Sequence, residues 1–232
     1  RITSPRITTA SACAPALPPC PATTGRKIAS TVSRAIVSSN RATTPAAERE
    51  QLVAQAQMLY QAGERDSLLA FTQARLDVKP EQADVIHDLL AYLAGQMIEM
   101  NQEKQQLTEN FWLDLEGVTD ADTFPKLRDK GKWEATLWKQ KACRPFVAEE
   151  SRSTRTLDES LGWDEAAFKA FVKALAGSVA NLSGLVGVYR QHAPAYGRLV
   201  QTLAATDWLI DRIVYQLYGL TEEEINIVEG DN

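Results

Sequence analysis

Cysteine is scarce in this 232-residue chain: Cys13, Cys20 and Cys143 are the only three, and none has the paired spacing of a zinc site. A disulfide framework is therefore not expected, and reduced thiols in a cytoplasm are the default. Histidine is scarcer still, with His87 and His192 far apart in sequence. They give no basis for a metal centre or for a paired nucleophile and base. No apolar run approaches the ~20 residues that span a bilayer, so a soluble protein is expected. No glycine-rich loop follows a strand-like run, which excludes a Walker loop and a dinucleotide fingerprint. Ser183 in "NLSGL" lacks the glycine two residues earlier that a nucleophile elbow requires. Strand-like alternation is nearly absent.

Acid is missing from one stretch altogether. Residues 1–47 carry six basic side chains (Arg1, Arg6, Arg26, Lys27, Arg34, Arg41) and no Asp or Glu. Taking these six from the 25 Lys and Arg leaves 19 against 30 acids, so the remainder stands at -11 although the whole chain is at -5. Residues 1–45, built mostly from Ser, Thr, Ala, Pro and Arg, have too little apolar surface to offset their ordering entropy. They read as a disordered basic tail. An organelle transit peptide has the same composition, as does sequence read out of frame at the edge of a fragment, and the missing initiator Met favours truncation.

What is present is helical periodicity, and the fold class it predicts is all-α: a helical domain over 46–232. Thr44 and Pro45 suit the cap and first position of a helix with Leu52, Ala56 and Leu59 on one side and Gly63 as its stop. Asp66 suits the cap of a second short helix. A long helix is expected over about 80–115, where Ile86, Leu90, Leu93, Met97, Met100, Lys104, Leu107 and Phe111 alternate steps of four and three. This is the seam of a coiled coil, roughly 38 Å long and broken once, at Lys104.

C-terminal helices are expected over about 164–229. Asp164 can cap "EAAFKAFVKAL", and a helix weakened by Gly184 and Gly187 follows. Pro194 then suits the start of a closing helix with Leu199, Leu203, Thr206, Ile210, Ile213 and Leu217 in a second seam. Gly219 supplies its left-handed stop, and "TEEE" at Thr221–Glu224 is a capping box for a short last helix that can bury Ile225, Ile227 and Val228. Two narrow stripes of matching period are most simply buried against each other, and a long connection allows an antiparallel, coiled-coil-like pair.

The insert at about 117–162 has weak periodicity and one basic patch. Between Lys126 and Arg144 lie seven cations (Lys126, Arg128, Lys130, Lys132, Lys139, Lys141, Arg144) against Asp129 and Glu134. Trp133 and Trp138 stand among them. Basic side chains neutralise phosphates and aromatics stack on bases or sugars, so these nine residues are the candidate DNA-binding set. A solvated loop with inward-packed tryptophans is the plain alternative. No catalytic residue and no metal ligand is assigned.

The ending "TDWLIDRIVYQLYGLTEEEINIVEG" resembles the C-terminus of bacterial restriction–modification enzymes of Type IIG and of related adenine-specific DNA methyltransferases. Asp207, Ile210, Asp211, Val214, Tyr215, Leu217, Tyr218, Gly219, Leu220, Thr221, Glu222, Glu223, Glu224, Ile225, Val228 and Glu229 carry it. The earlier "DVIHDLLAYLAGQMIEMNQEKQ" is similar to the helix that partners this ending, and the likeness spans residues 66–230 with a divergent middle. It implies a helical tail associated with target recognition, acting on double-stranded DNA beside the methyltransferase core of the same system. S-adenosylmethionine and Mg are implied for the full-length enzyme, not for this chain. The Asn-Pro-Pro-aromatic motif, the S-adenosylmethionine loop and an Asp…Glu-x-Lys nuclease cluster are all missing here. The residues also leave open a free-standing helical adaptor that binds a protein partner.

Overall fold

The computed structural model describes residues 44–128, 137–147 and 155–230, all within the compact unit Arg41–Asn232. The described residues are all-α, with no strand among them. Cys13, Cys20 and the reading of residues 1–45 as a disordered tail fall essentially outside them. Seven helices are labelled in chain order: α1 (Ala46–Gln61), α2 (Arg65–Asp77), α3 (Ala83–Val118), α4 (Phe124–Leu127), α5 (Glu165–Ala176), α6 (Leu182–Tyr218) and α7 (Glu222–Glu229). Short 3-10 turns cover Arg144–Phe146 and Leu157–Gly162. No helix among the described residues is long and apolar enough to cross a membrane.

Helices α3 and α6 pack along each other and run antiparallel. Near one end Asn181 Nδ2 donates to the Val118 carbonyl at 3.1 Å, and His192 Nε2 meets Asp114 Oδ2 at 2.7 Å. Farther along, the Lys104 ammonium lies over the Tyr196 ring. Rising numbers on α6 thus meet falling numbers on α3. The expected seam is buried at its two ends, at Ile86, Leu90 and Leu93 and again at Phe111, and half-exposed between them at Met97, Met100, Lys104 and Leu107.

The half-exposed middle separates two cores. One forms where α1 and α2 cover the start of α3 and the end of α6. There Val85 and Leu89 are buried beside the seam residues, so the apolar face widens from a stripe to the breadth a globular helix needs. Tyr60 and Thr206 share a 2.8 Å hydrogen bond in this half, and Thr72 Oγ1 donates to Gln216 Oε1. The other core gathers Phe111, Leu115, Leu127, Leu137, Phe168, Phe171 and Leu185, with Tyr196 at its edge. Removing one of its fully buried phenylalanine rings would cost about 3–5 kcal/mol.

Several local expectations are corrected. Helix α6 runs unbroken through Pro194, from an Asn181 cap whose side chain accepts from Gly184 N–H, so Pro194 does not open it. An internal proline costs about 3 kcal/mol. Buried Tyr189 and His192 before it and Tyr196 and Leu199 after it outweigh that cost. Asp66 lies inside the first turn of α2 and does not cap it. Thr44 does not cap α1, and Pro45 stands at the cap just before the helix instead of at its first position; the Thr44 backbone N–H and hydroxyl both donate to the Asp84 carboxylate at the head of α3. In the second seam Leu209 is buried while Ile210 and Leu217 are only half-buried, because α6 turns part of its face toward α2. In α7 Ile225 is buried but Ile227 is 67% exposed and Val228 lies at the surface.

The other stop and cap signals stand. Gly219 is left-handed at φ 62°, the conformation glycine adopts without a Cβ penalty. The Glu224 amide donates to Thr221 Oγ1, and the Glu224 carboxylate accepts from the Thr221 amide at 2.9 Å. Asp164 accepts from the Ala167 amide at 2.7 Å.

Candidate nucleic-acid interface

The basic patch begins where α3 ends. Asp120 accepts from the amide and hydroxyl of Thr123 at 2.7 and 2.9 Å, and these bonds hold its carboxyl below the usual range. They turn the chain into the single turn of α4. In that turn Leu127 points into the core and Phe124 packs against it, so Lys126 and Arg128 are forced outward. The second piece is pinned the same way. Leu137, Cys143 and Val147 are buried, which leaves Lys139, Lys141 and Arg144 exposed between them. Lys130, Lys132 and Trp133 lie outside the described residues.

The two arginines are seated on aromatic rings. The Arg128 guanidinium stands 5.3 Å from the centre of the Trp112 ring and 5.9 Å from that of Phe124. Those two rings meet edge to face at 6.3 Å. Arg144 stands 5.7 Å over Trp138 and donates its Nε to the Trp138 carbonyl at 3.1 Å. Trp138 is half-buried against the core, so its ring backs an arginine instead of standing free to stack on a base. Among the described residues none of Lys126, Arg128, Lys139, Lys141 and Arg144 has a carboxylate partner. Some other cations do: Arg49 pairs with Asp88, Arg190 with Glu165, Arg212 with Glu229.

Beside Arg128 a groove of about 450 Å³ opens along α3, lined by Asn101, Lys104, Thr108, Trp112, Arg128 and Asp158 among others. Sequence reasoning missed Trp112, Phe124 and Lys104 as parts of this region. Trp112 and Phe124 had no role assigned there, and the one available signal for Lys104 was its interruption of the seam.

Elsewhere the chemistry is structural. His192 is buried, with Phe111 edge to face at 6.0 Å and Asp114 on its Nε2, so it ties α3 to α6. His87 is exposed beside Asp88. The Cys143 thiol donates to the Ala167 carbonyl, and burial, with Asp164 nearby, pushes it up to about 11. It stays protonated and is no nucleophile. Among the described residues no group of His, Cys, Asp and Glu is arranged to hold a metal.

What the patch can do is hold phosphates. Exposed cations without carboxylate partners among the described residues can neutralise backbone charge, and such contacts position a partner without reading its bases. Compared with family models, curated proteins and solved structures, the chain matches none.

Proposed function

We propose that residues 46–232 are the C-terminal helical, target-recognition-associated part of a bacterial restriction–modification DNA methyltransferase. In this reading they help to position double-stranded DNA and carry no catalysis of their own. S-adenosylmethionine and Mg belong to the methyltransferase core that the domain serves. The observation that carries DNA contact is the set of described cations without carboxylate partners, two of them seated on aromatic rings. The link to this class of enzyme rests on the sequence of the closing helices. Exposed Trp208, Tyr218 and Ile227 near the C-terminus favour a protein neighbour as well, either that core or, in the adaptor reading, another partner.

The test is a salt series with the full chain and a random-sequence duplex. Affinity should fall with a log–log slope of roughly -0.9 for each phosphate contacted. Reversing Lys130, Lys132, Lys139 and Lys141 to Glu should weaken binding and flatten that slope, while the basic residues 1–47 contribute equally to both proteins. An unchanged slope would place any DNA contact elsewhere. Strong discrimination between sequences would refute a contact confined to the backbone.

A further inference from the structure

The end of α6 and the short α7 that folds back on it form an apolar and acidic surface used by neither core and lying apart from the basic patch. Trp208 is 41% exposed there, Tyr218 44% and Val228 37%. One side chain ties the two helices into a single face. The Arg212 guanidinium lies 5.5 Å over the Trp208 ring and 5.7 Å over that of Tyr215, and its Nη2 reaches Glu229 Oε1 of α7 at 3.5 Å. Val228, the neighbour of Glu229, therefore stands at the Trp208 end of the surface. Exposed apolar side chains gathered in one place mark a contact surface, and Trp, Tyr and Arg carry most of the energy in protein contacts.

The charge around this face is of one sign. Residues 205–229 hold six acids (Asp207, Asp211, Glu222, Glu223, Glu224, Glu229) against Arg212 alone, a net of -5. Glu224 is committed to the Thr221 cap and Glu229 to Arg212. Asp207, Glu222 and Glu223 are exposed and have no ion-pair partner among the described residues. Burial, then Asp207 and Glu229, hold the Asp211 carboxyl above its usual range, and Arg212 offsets this only in part. The start of a helix accounts for acids at Glu222 and Glu223. It does not account for Asp207 and Asp211, or for the exposed rings beside them. The surface lacks cations, and a basic partner supplies them.

We infer that this surface docks a helix of a protein partner, apolar along one face and flanked by Lys and Arg. A helix is the form that fits, because no strand among the described residues offers an edge to an extended peptide. From Asp207 to Tyr218 the face runs about 16 Å along α6, room for apolar anchors on three successive turns. A second copy laid on symmetrically would set like charges together. The inference takes up the reading of this end as facing a protein neighbour and draws nothing from the DNA contact.

The probe is a helical peptide of about 18 residues, Leu on one face and Lys on the other, labelled for fluorescence anisotropy and titrated with the full chain. It should bind, and its counterpart with Glu for every Lys should not. Trp208→Ser should weaken binding about tenfold and Val228→Ser about threefold. Asp207→Asn with Glu222→Gln and Glu223→Gln, which spares the Thr221–Glu224 box, should cost about tenfold and make the salt dependence shallower. Changing Glu103, Glu109 and Glu116 of α3 to Gln removes the same charge elsewhere and should leave binding at the parent value. Val228 lies at the surface, so its variant keeps the test open should Trp208→Ser fail to fold. Parent affinity in the folded Trp208 and Val228 variants, equal loss in the α3 set, or equal binding of the Glu peptide would overturn the inference. So would a chain that sediments as a dimer until Trp208→Ser dissociates it, since the occupant is then a second copy. Trp208→Ser should keep the parent's salt slope on random duplex; a changed slope would put DNA on this surface and overturn the inference. If the Lys peptide does not bind while reversal of the four patch lysines still flattens the slope, this inference falls alone and the DNA reading stands.

Discussion

Replacing Asp211 by Asn should stabilise the protein at neutral pH and leave it unchanged in mild acid. Asp211 sits half-buried on α6, one turn after Asp207 and close to Glu229 of α7, with only Arg212 to compensate. Burial first, and then the two neighbouring carboxylates, push its carboxyl up from 3.8 to about 6. The sign follows directly. In the unfolded chain Asp211 ionises at its ordinary value, whereas the folded chain still holds the proton up to about 6. Stability therefore declines as pH rises between those values, and the penalty is complete above them. A difference of that size corresponds to about 3 kcal/mol without solvent, and screening at a half-exposed site leaves roughly half of it. Asparagine has the shape without the charge. Unfolding in urea followed by far-UV circular dichroism should show the variant about 1–2 kcal/mol more stable at pH 7.5 and equal to the parent near pH 3.5. A gain that is independent of pH, or no gain at neutral pH, would refute the electrostatic account.

Leu93→Asp and Leu209→Asp should each unfold the domain, since an unpaired carboxylate in a sealed site costs several kcal/mol. Ile210→Asp, half-exposed, should lower the midpoint without abolishing folding; equal effects of all three on circular dichroism would show that the burial pattern is wrong. Glu165→Gln should matter least in strong acid. Arg190 and then Lys169 hold the Glu165 carboxyl down at about 2, so its contribution is present above its ordinary value and is lost as pH falls through 2. A parent–variant difference in thermal midpoint that vanished already at pH 4 would contradict that pairing.

The elements that sequence makes legible are those whose signals are local. Gly219, the Thr221–Glu224 box and the Asp164 cap each involve backbone groups within four residues, and each appears where the residue types require it. Pro194 misled because a helix interior tolerates proline when burial on both sides compensates, and burial is a property of the whole fold. The seams were legible as stripes, but not their width. That Leu89 is as deeply buried as Leu90, or Leu209 more so than Ile210, depends on α1 and α2 covering a second side of the pair. In the basic patch the cations announced themselves by number. Their seating did not, because Trp112 reaches Arg128 from another element.

The antiparallel arrangement of α3 and α6 has a consequence for the order of assembly. The half that contains α5 is closed by contacts over short spans, 63 residues from Val118 to Asn181 and 78 from Asp114 to His192. The half that contains α1 and α2 is closed by Thr72 with Gln216 and Tyr60 with Thr206, over 144 and 146 residues. Loop-closure entropy rises with the logarithm of that span, so the second closure from an open chain costs about 0.7 kcal/mol more than the first. Once Val118 and Asn181 have met, the two long helices share one end, and each further turn brings its partners together over a distance already shortened. By this measure the pair closes more readily from the α5 end toward Gly219, while α1 meets the head of α3 over only 40 residues, from Thr44 to Asp84, and need not wait for that closure.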